Sequence, residues 1–258
     1  MAQTATSPAR QGTRWGRVVT FVLLCLGSAI FSIPFIWTVS TALKTKEQVF
    51  AVPPVWIPNP VQWENFRRAW TELPFPTFVF NTVLITLISV VGQVTSASLV
   101  AYGFARFRFK GRTFLFYLLL STMMLPAQVT MIPVFLIWRA LGLIDTFAPM
   151  TVPAFFGGGA FTIFLLRQFF MTVPRELDEA AMIDGCSYFG IWWRILLPLS
   201  RPALVTVTLF SFLAHWDDFM GPLIYLNSME KYTVSIGLRM FQDMFGTELA
   251  LLMAASLI

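Results

Sequence analysis

Five long apolar stretches constrain this sequence more than any other feature. They cover approximately residues 18–43, 77–105, 113–138, 149–173 and 202–226. Each is long enough to cross a bilayer, which needs about 20 predominantly apolar residues. Only 12% of the residues are charged, whereas soluble domains average roughly 25%. Because backbone groups in lipid must pair within the protein, we predict an all-α membrane protein, a polytopic helical bundle with five full spans.

A sixth apolar stretch begins near Leu249 and reaches the last residue, Ile258. It offers about ten residues, half of what a span requires, so we expect an incomplete sixth span. The first stretch is too long for the apolar core of a signal peptide, and no small-residue cleavage site follows it. We therefore expect the first stretch to be retained as a span.

Lysine and arginine positions predict the orientation, since short cytoplasmic loops carry an excess of both. Three regions near the spans are basic, with side chains from Arg10, Arg14, Arg17, Arg106, Arg108, Lys110, Arg112, Arg167, Arg175, Arg194 and Arg201. We predict that all three are cytoplasmic. Residues 1–17 then form a cytoplasmic N-terminal tail and residues 18–258 the transmembrane domain, with outward loops at about 44–76, 139–148 and 227–247. The bases lie beside apolar spans and form no separate patch, so we expect membrane lipid around the chain and no nucleic-acid binding.

The connection at about residues 172–199 carries a specific pattern. It reads Glu179-Ala180-Ala181, then Gly185, then Ile195-x-Leu197-Pro198. An interfacial hairpin that only connects two spans would explain acidic and aromatic residues here, but not two alanines and a glycine at this spacing. Small residues on an exposed helix allow another protein to approach closely. We therefore predict a docking surface.

Local signals in the same connection predict a helix, a glycine and a second helix. Acidic residues crowd the first turn, where the helix dipole favours them, and Pro174 suits a first helical position. Gly185 suits a left-handed cap, and Ser187 can cap the second helix. We also expect Trp192 and Trp193 to lie at the level of the lipid headgroups.

The pattern resembles the EAA loop (E-A-A-x3-G-x9-I-x-L-P) of permease subunits in binding-protein-dependent ABC importers. Further segments look like the carbohydrate-uptake branch of that family: Asn81-Thr82, residues 101–106 (AYGFAR), 124–126 (MLP), 141–146 (LGLIDT), 165–170 (LLRQFF) and 216–219 (WDDF). The similarity covers nearly the whole chain from about residue 18. It is to the shorter, six-span subunit, typified by the second maltose permease.

The resemblance implies a type I ABC importer permease (MetI-like) fold in a bacterial inner membrane. It implies transport of a sugar or related polyol, which an external solute-binding protein delivers. The partners would be a homologous permease, giving a heterodimer, and a cytoplasmic ABC ATPase dimer. The loop at 227–247 would meet the binding protein. The residues carried over as ATPase-coupling contacts are Glu179, Ala180, Ala181, Asp184, Gly185, Ile195, Leu197 and Pro198.

Catalytic and metal-binding patterns are missing from the sequence. It contains no Gly-x-x-x-x-Gly-Lys-Ser/Thr phosphate loop, so we expect ATP and Mg²⁺ to bind the partner ATPase and no cofactor to bind this chain. With one histidine and no HExxH or GxSxG motif, a membrane-anchored hydrolase is unsupported. We therefore predict neither an enzyme nor a metal site.

Polar residues within the spans are candidates for the transport path or its gate, because ionisable groups at that depth are costly. The candidates are Asn81, Gln128, His215, Asp217 and Asp218. Pro222 leaves the Asp218 carbonyl without its helical donor, so we expect the fifth span to open locally. A hydrogen-bond cluster between helices, or a position at the mouth of the span already in water, would explain His215, Asp217 and Asp218 equally. An ion-coupled secondary transporter is the alternative function, although no internal repeat supports it.

The third and fourth spans are expected to be irregular, and transport by this chain alone is expected to be impaired. Pro126 and Pro133 should bend the third span, and residues 157–159, three glycines in the fourth, favour either close helix packing or a hinge. An unfinished sixth helix would leave backbone groups unpaired in lipid. We therefore expect that this chain alone does not support transport at normal rates.

Overall fold

In a computed structural model, residues 14–243 and 248–258 are described, and their regular structure is entirely helical. The α-helices are α1 (Arg14–Ala42), α2 (Lys46–Val49), α3 (Glu64–Thr71), α4 (Phe75–Arg106), α5 (Arg112–Ser121), α6 (Ala127–Ala140), α7 (Ala148–Thr151), α8 (Ala160–Thr172), α9 (Glu176–Ile183), α10 (Tyr188–Ile191), α11 (Leu197–Leu199), α12 (Arg201–Trp216), α13 (Met220–Tyr225), α14 (Val234–Asp243) and α15 (Leu249–Leu257). Short 3₁₀ turns cover Thr122–Met124, Val152–Phe155 and Met229–Lys231, and a π-helical turn covers Trp192–Leu196.

One compact unit contains the described residues up to Glu72 and those from Phe241 onward. In it, α15 packs against α1 and α3. The buried Asn65 amide of α3 donates to the Ala42 and Lys44 carbonyls, at 2.9 Å each. These bonds satisfy carbonyl groups that the end of α1 leaves without a helical donor.

Lys44 is fully buried just after α1, with its ammonium 3.7 Å from the centre of the Trp37 ring. Burial lowers the pKa of the Lys44 ammonium. A cation above an aromatic face recovers part of the solvation that it loses. The earlier turns of α1 expose apolar side chains, as a helix facing lipid does.

The second unit, residues 73–240, is built around α4, which packs against α8 and α12. Small buried residues on α4, including Ala97, Ala101 and Ala105, allow the neighbouring helices to approach closely. Opposite them lie Ile163 and Leu166 of α8, both almost fully buried. This cluster forms the main apolar core of the unit.

In the part of the chain that the structure describes, three helical segments are long and apolar enough to cross a membrane: Trp15–Ala42, Phe75–Arg106 and Ala148–Thr172. Two bent pairs pass the same test, Arg112–Met124 with Ala127–Ala140 and Tyr188–Leu199 with Arg201–Trp216. The count reaches five if each bent pair is one span, which is the number that the sequence predicts. The first pair bends by 100° around Pro126, where a proline-induced bend was expected.

The fourth and fifth spans are broken rather than continuous, and the break in the fifth span is the local opening that Pro222 predicts. All three glycines at 157–159 have positive φ, so they interrupt the fourth span between Phe155 and α8. The helix of the fifth span ends at Trp216. Asp217 and Asp218 therefore lie in the break before α13, not inside a helix. Ser235 donates to the Asp218 carbonyl at 2.8 Å, the group that Pro222 deprives of a helical donor.

Polar side chains of α4 compensate for the break in the fourth span. Ser89 donates to the Met150 carbonyl at 3.2 Å and Ser96 to the Ala154 carbonyl at 2.7 Å. The Gln93 amide donates to the Thr162 hydroxyl at 3.0 Å. Irregular backbone at membrane depth is tolerated where protein groups pair with it, so these bonds explain why polar residues occur within α4.

Candidate coupling surface and transport pathway

The connection after α8 folds as a helix, a glycine and a second helix, as predicted. Helix α9 ends in a left-handed turn at Gly185, whose φ is 80°. The next amide, of Cys186, donates to the Ala181 carbonyl at 2.8 Å, which closes the helix end. Ser187 caps α10 by accepting a hydrogen bond from the Gly190 amide at 3.2 Å. Pro174 lies two residues before α9 begins at Glu176 and so does not occupy its first position.

The second helix continues through the π-helical turn to Leu199. Within it, Trp192 is only 3% exposed and belongs to the apolar core, whereas Trp193 is 60% exposed. Trp192 therefore packs inside the protein and only Trp193 is exposed; that both rings lie at the headgroup level stays a prediction. Trp192 follows the fully buried Ile191 and packs on the Phe189 ring with 5.1 Å between ring centres.

The residues of the EAA pattern divide between the surface and the core. Five are exposed: Glu179, Ala180, Asp184, Gly185 and Pro198. Ile195 and Leu197 are half-buried, and Ala181 is buried within the core cluster. The second alanine therefore lets α9 pack closely on the membrane bundle, while the first leaves the outer face of α9 open.

Three apolar side chains on this surface have no counterpart in the sequence-based prediction. Ile183 is 87% exposed, Tyr188 is 58% exposed and Phe189 is 64% exposed. They lie on either side of the Gly185 turn, and the exposed Ala180 lies one helical turn before Ile183 on α9. Their signal in the sequence was weak, because apolar residues in a loop between two spans are equally typical of contact with lipid.

A buried ion pair ties this connection to the end of α4. The Arg106 Nε atom lies 3.0 Å from Asp178 Oδ2, and their side chains are 5% and 12% exposed. A second nitrogen of Arg106 donates to the Val173 carbonyl at 3.1 Å. Arg175 donates in return to the Ala105 carbonyl at 3.2 Å. Burial raises the pKa of the Asp178 carboxyl, while the Arg106 charge opposes this shift.

Beside the ion pair lies a groove of about 330 Å³. Its lining combines the end of α4 with both helices of the connection: Tyr102, Arg106, Phe107, Arg108, Arg175, Asp178, Glu179, Met182, Tyr188 and Ile191. The Tyr102 hydroxyl donates to the Tyr188 carbonyl at 3.1 Å. Both helices of the connection are thus held by the same end of α4.

The structure brings His215 and Asp218 to one small cavity, which Thr82, Met150 and Thr233 also line. His215 Nε2 lies 2.9 Å from the Gln93 side-chain oxygen. Asp218 accepts a hydrogen bond from the Gly221 amide at 3.0 Å, and Asp217 is exposed. The cavity volume of about 10 Å³ is too small for a sugar.

Asn81 and Gln128 lie apart from that cavity. The buried Asn81 amide donates to the Glu230 carbonyl at 2.8 Å and the Tyr232 carbonyl at 3.0 Å. Gln128 is exposed near the start of α6. Asn81 therefore anchors the segment that follows α13, which sequence reasoning did not foresee.

Asp145 holds the same segment from a second side. Its Oδ1 accepts the amides of Asn227 at 2.9 Å and Ser228 at 3.0 Å, and its Oδ2 lies 3.0 Å from the Lys231 ammonium. The Ser228 hydroxyl also donates to Oδ2. This bond first, and then the two amides and Lys231, hold the pKa of Asp145 well below its usual range. The backbone of Asp145 has a positive φ of 59°, a region that Asp and Asn adopt more readily than most residues.

Residues 93–258 match the family described as binding-protein-dependent transport system inner membrane component, which is more than half of the chain. The chain belongs to this family. It shares 34% identity over 243 residues with the probable ABC transporter permease protein YurM of Bacillus subtilis (strain 168), covering 93% of this chain and 79% of the relative. It shares 33% identity over 245 residues with the diacetylchitobiose uptake system permease protein DasC of Streptomyces coelicolor, covering 94% and 88%.

The permease also resembles a solved structure. A chain from the crystal structure of a bacterial ABC transporter involved in the import of the acidic polysaccharide alginate superposes with a TM-score of 0.81. The match has 25% sequence identity and covers 98% of this chain and 93% of the other. The fold is therefore the MetI-like fold of ABC importer permeases.

Membership in this family defines the permease in general terms. It is a multi-pass protein of the inner membrane and a subunit of an ABC importer. Subunits of this type are not enzymes, and the ATPase is a separate subunit. The general partners are therefore an ATPase and a solute-binding protein.

Proposed function

We propose that this permease translocates a sugar or related polyol, coupled to a separate ATPase dimer through residues 172–199. An external binding protein delivers the substrate, and a homologous permease completes the membrane channel as a heterodimer. The names of relatives support a carbohydrate or polyol substrate. One is DasC, and another is the sn-glycerol-3-phosphate transport system permease protein UgpE of Yersinia enterocolitica, 33% identical over 224 residues. ATP and Mg²⁺ bind the ATPase and not this chain.

The buried pair of Arg106 and Asp178 is the observation that carries the coupling proposal. Removing one partner of a buried ion pair leaves an uncompensated charge, which costs about 3–5 kcal/mol. The pair therefore keeps α9 fixed to the end of α4 when a partner pushes on the exposed face around Ala180 and Ile183. A displacement of α9 is passed to α4 instead of being absorbed by a flexible loop.

Helix α4 connects the coupling segment at one of its ends to a second segment at its other end. Arg106 holds α9 and Asn81 holds the segment around Glu230 and Tyr232. The two anchors are 25 residues apart, or about 37 Å along a helix. This supports an arrangement in which residues 1–17 and 172–199 are cytoplasmic, residues 18–258 form the membrane domain, and the loops at about 44–76, 139–148 and 227–247 face outward.

The proposal is tested with the importer reconstituted in liposomes from its two permeases, ATPase and binding protein. We expect the binding protein loaded with its sugar to stimulate ATP hydrolysis and drive uptake. Uptake that follows an ion gradient without ATP, or a permease that copurifies with no ATPase, would contradict the proposed function.

The coupling path is tested by Asp178→Asn. We expect this variant to assemble but to lose at least about tenfold in uptake per ATP hydrolysed, because the neutral amide no longer balances Arg106. The matched control is Glu176→Gln, which removes an exposed acid from the same helical turn and should retain coupling. Equal coupling in both variants would show that the ion pair does not transmit the motion.

A further inference from the structure

A further cavity, which shares Arg106 and Arg175 with the groove beside α9, is lined mainly by arginines. It has a volume of about 110 Å³ and is lined by Ala105, Arg106, Arg112, Arg167, Met171 and Arg175. These residues come from the end of α4, the start of α5, the last turns of α8 and the residue before α9. Among the described residues no carboxylate lines this cavity, and of its four arginines only Arg106 forms an ion pair, with Asp178 outside the cavity lining.

Arg167 is the guanidinium whose charge is least compensated. Its Nε atom is buried and has no hydrogen-bond partner among residues 14–243 and 248–258. Its guanidinium lies over the Phe116 ring, 4.0 Å from the ring centre, and it feels the repulsion of the Arg112 charge. A buried donor that stays unpaired costs about 1–3 kcal/mol, and more when it is charged. An anion in the cavity would remove that cost.

The other three arginines are oriented by protein groups. Arg106 is paired with Asp178, Arg175 donates to the Ala105 carbonyl, and Arg112 donates to the Phe107 carbonyl at 3.2 Å. With its bond to the Val173 carbonyl, Arg106 makes two such contacts, and Arg175 and Arg112 make one each. These contacts leave guanidinium donors for a ligand, since a guanidinium carries five N–H groups. The first amides of α5, which begins at Arg112, add the positive end of a ten-residue helix dipole.

Charge bias at the cytoplasmic surface does not by itself explain this convergence. The bias requires bases in the loop, and an exposed side chain such as Lys110 meets that requirement. The charge bias does not require that four arginines surround one cavity, or that the Arg167 Nε atom is buried without a partner among the described residues. Guanidinium groups bind phosphate through paired N–H···O bonds, and the cavity volume is several times the ~30 Å³ that one water occupies in the liquid.

We propose that this cavity binds a phosphate group, supplied by the headgroup of an anionic phospholipid. Met171, an apolar side chain of the cavity lining, is exposed and offers a surface for an acyl chain. Basic pockets between helices on the cytoplasmic side are typical sites for anionic headgroups. The leaflet assignment rests on the orientation given in the proposed function, whereas phosphate binding does not.

Native mass spectrometry of the purified importer, titrated with dioleoylphosphatidylglycerol, tests the site. We expect Arg112→Gln with Arg167→Gln to weaken binding of this lipid at least about tenfold, while Lys110→Gln, which removes a charge from the same connection, changes it less than twofold. Phosphatidylethanolamine should bind weakly to all three proteins. Arg167→Lys, which keeps the charge, should bind with intermediate strength and guards against misfolding of the double variant.

Three results would overturn the inference. One is equal phosphatidylglycerol binding by the wild type and the double variant. Another is that inorganic phosphate binds the wild type while phosphatidylglycerol does not, which would make the source a free anion. The third is a wild-type importer that retains no phosphatidylglycerol, as expected if a partner carboxylate fills the cavity. Since none of these readouts depends on uptake, a failure here is distinct from a failure of the proposed function.

Discussion

Gly158 shows at the scale of one residue why the fourth span is broken. It has a φ of 61°, and an added Cβ would overlap the Gln93 carbonyl oxygen and lie 3.0 Å from the Ala97 side chain. A side chain here would have to displace backbone of α4. The choice between close packing and a hinge, which the sequence left open, is thus answered for packing at this position.

Gly158→Ala should therefore destabilise the permease by about 2 kcal/mol or more, through overpacking and backbone strain together. The control is Gly103→Ala in α4, where an added Cβ meets nothing within 4 Å. In a helix that change should stabilise slightly, by about 1 kcal/mol. Thermal unfolding of the detergent-solubilised protein measures both. Similar midpoints for the two variants would show that the contact with Gln93 is not tight.

Asp217 and Asp218, adjacent in sequence, are expected to differ in their effect on transport. Asp218 lines the cavity with His215 and binds the Gly221 amide, while Asp217 is exposed. We expect Asp218→Asn to reduce uptake at least about tenfold and Asp217→Asn to reduce it less than threefold, since a hydrogen bond to a charged group contributes about 1.5–3 kcal/mol and Asp218 is half-buried while Asp217 is exposed. Uptake assays on assembled importers measure this. Unchanged uptake in a variant that carries both Asp217→Asn and Asp218→Asn would show that neither residue belongs to the gate.

At the scale of elements, the segment after α13 depends on Asp145 in the loop after α6. Asp145→Asn keeps a residue that tolerates positive φ but loses the charge that Ser228 and Lys231 bind. Hydrogen exchange of residues 227–232 should speed up by on the order of tenfold, and more in Asp145→Ala, because charge-assisted bonds are the stronger ones. Glu230→Gln is the control, since its exposed side chain takes no part in these bonds. Unaltered exchange in Asp145→Ala would show that other contacts hold the segment.

The bonds that ionised Asp145 makes to residues 227–232 should weaken only at acid pH. The folded-state pKa of Asp145 lies below its value in the unfolded chain, about 3.9. Its stabilisation is therefore complete at pH values above that unfolded-state pKa and is lost as the pH falls through the lower, folded-state pKa. Exchange of residues 227–232, corrected for the intrinsic rate, should be constant between about pH 5 and 7. A corrected exchange rate that rises progressively as the pH falls over that range would show that a group other than Asp145 titrates there.

The positions of the apolar helices and of the Gly185 turn could be predicted because length, apolar content and capping are local properties of a sequence. The Arg106–Asp178 pair could not, since each residue already has a sufficient local explanation. An arginine suits a cytoplasmic loop, and an aspartate suits a first helical turn. Their contact joins positions 72 residues apart, and burial of Ala181 and Trp192 likewise depends on which face the bundle covers.

At the scale of the whole molecule, the proposed function requires the two anchors of α4 to lie on opposite sides of the membrane. Ile183, the exposed last residue of α9, would be cytoplasmic, and Asn227, in the segment held by Asp145, would face outward. Both side chains are exposed, so a cysteine at either position can react with a membrane-impermeant maleimide. The native cysteines, Cys25 and Cys186, are first replaced by serine to give an unreactive background.

In that background, Ile183→Cys should label in inside-out vesicles and stay unlabelled in intact spheroplasts, while Asn227→Cys should show the reverse. A span of about 20 apolar residues separates the two compartments, so partial labelling from both sides is not expected in sealed preparations. Lys110→Cys, in the short connection between α4 and α5, serves as the control that must label with Ile183→Cys. If Ile183 and Asn227 labelled from the same side, α4 could not link an internal ATPase to an external binding protein. The coupling path from Asp178 through Arg106 to Asn81 would then be excluded.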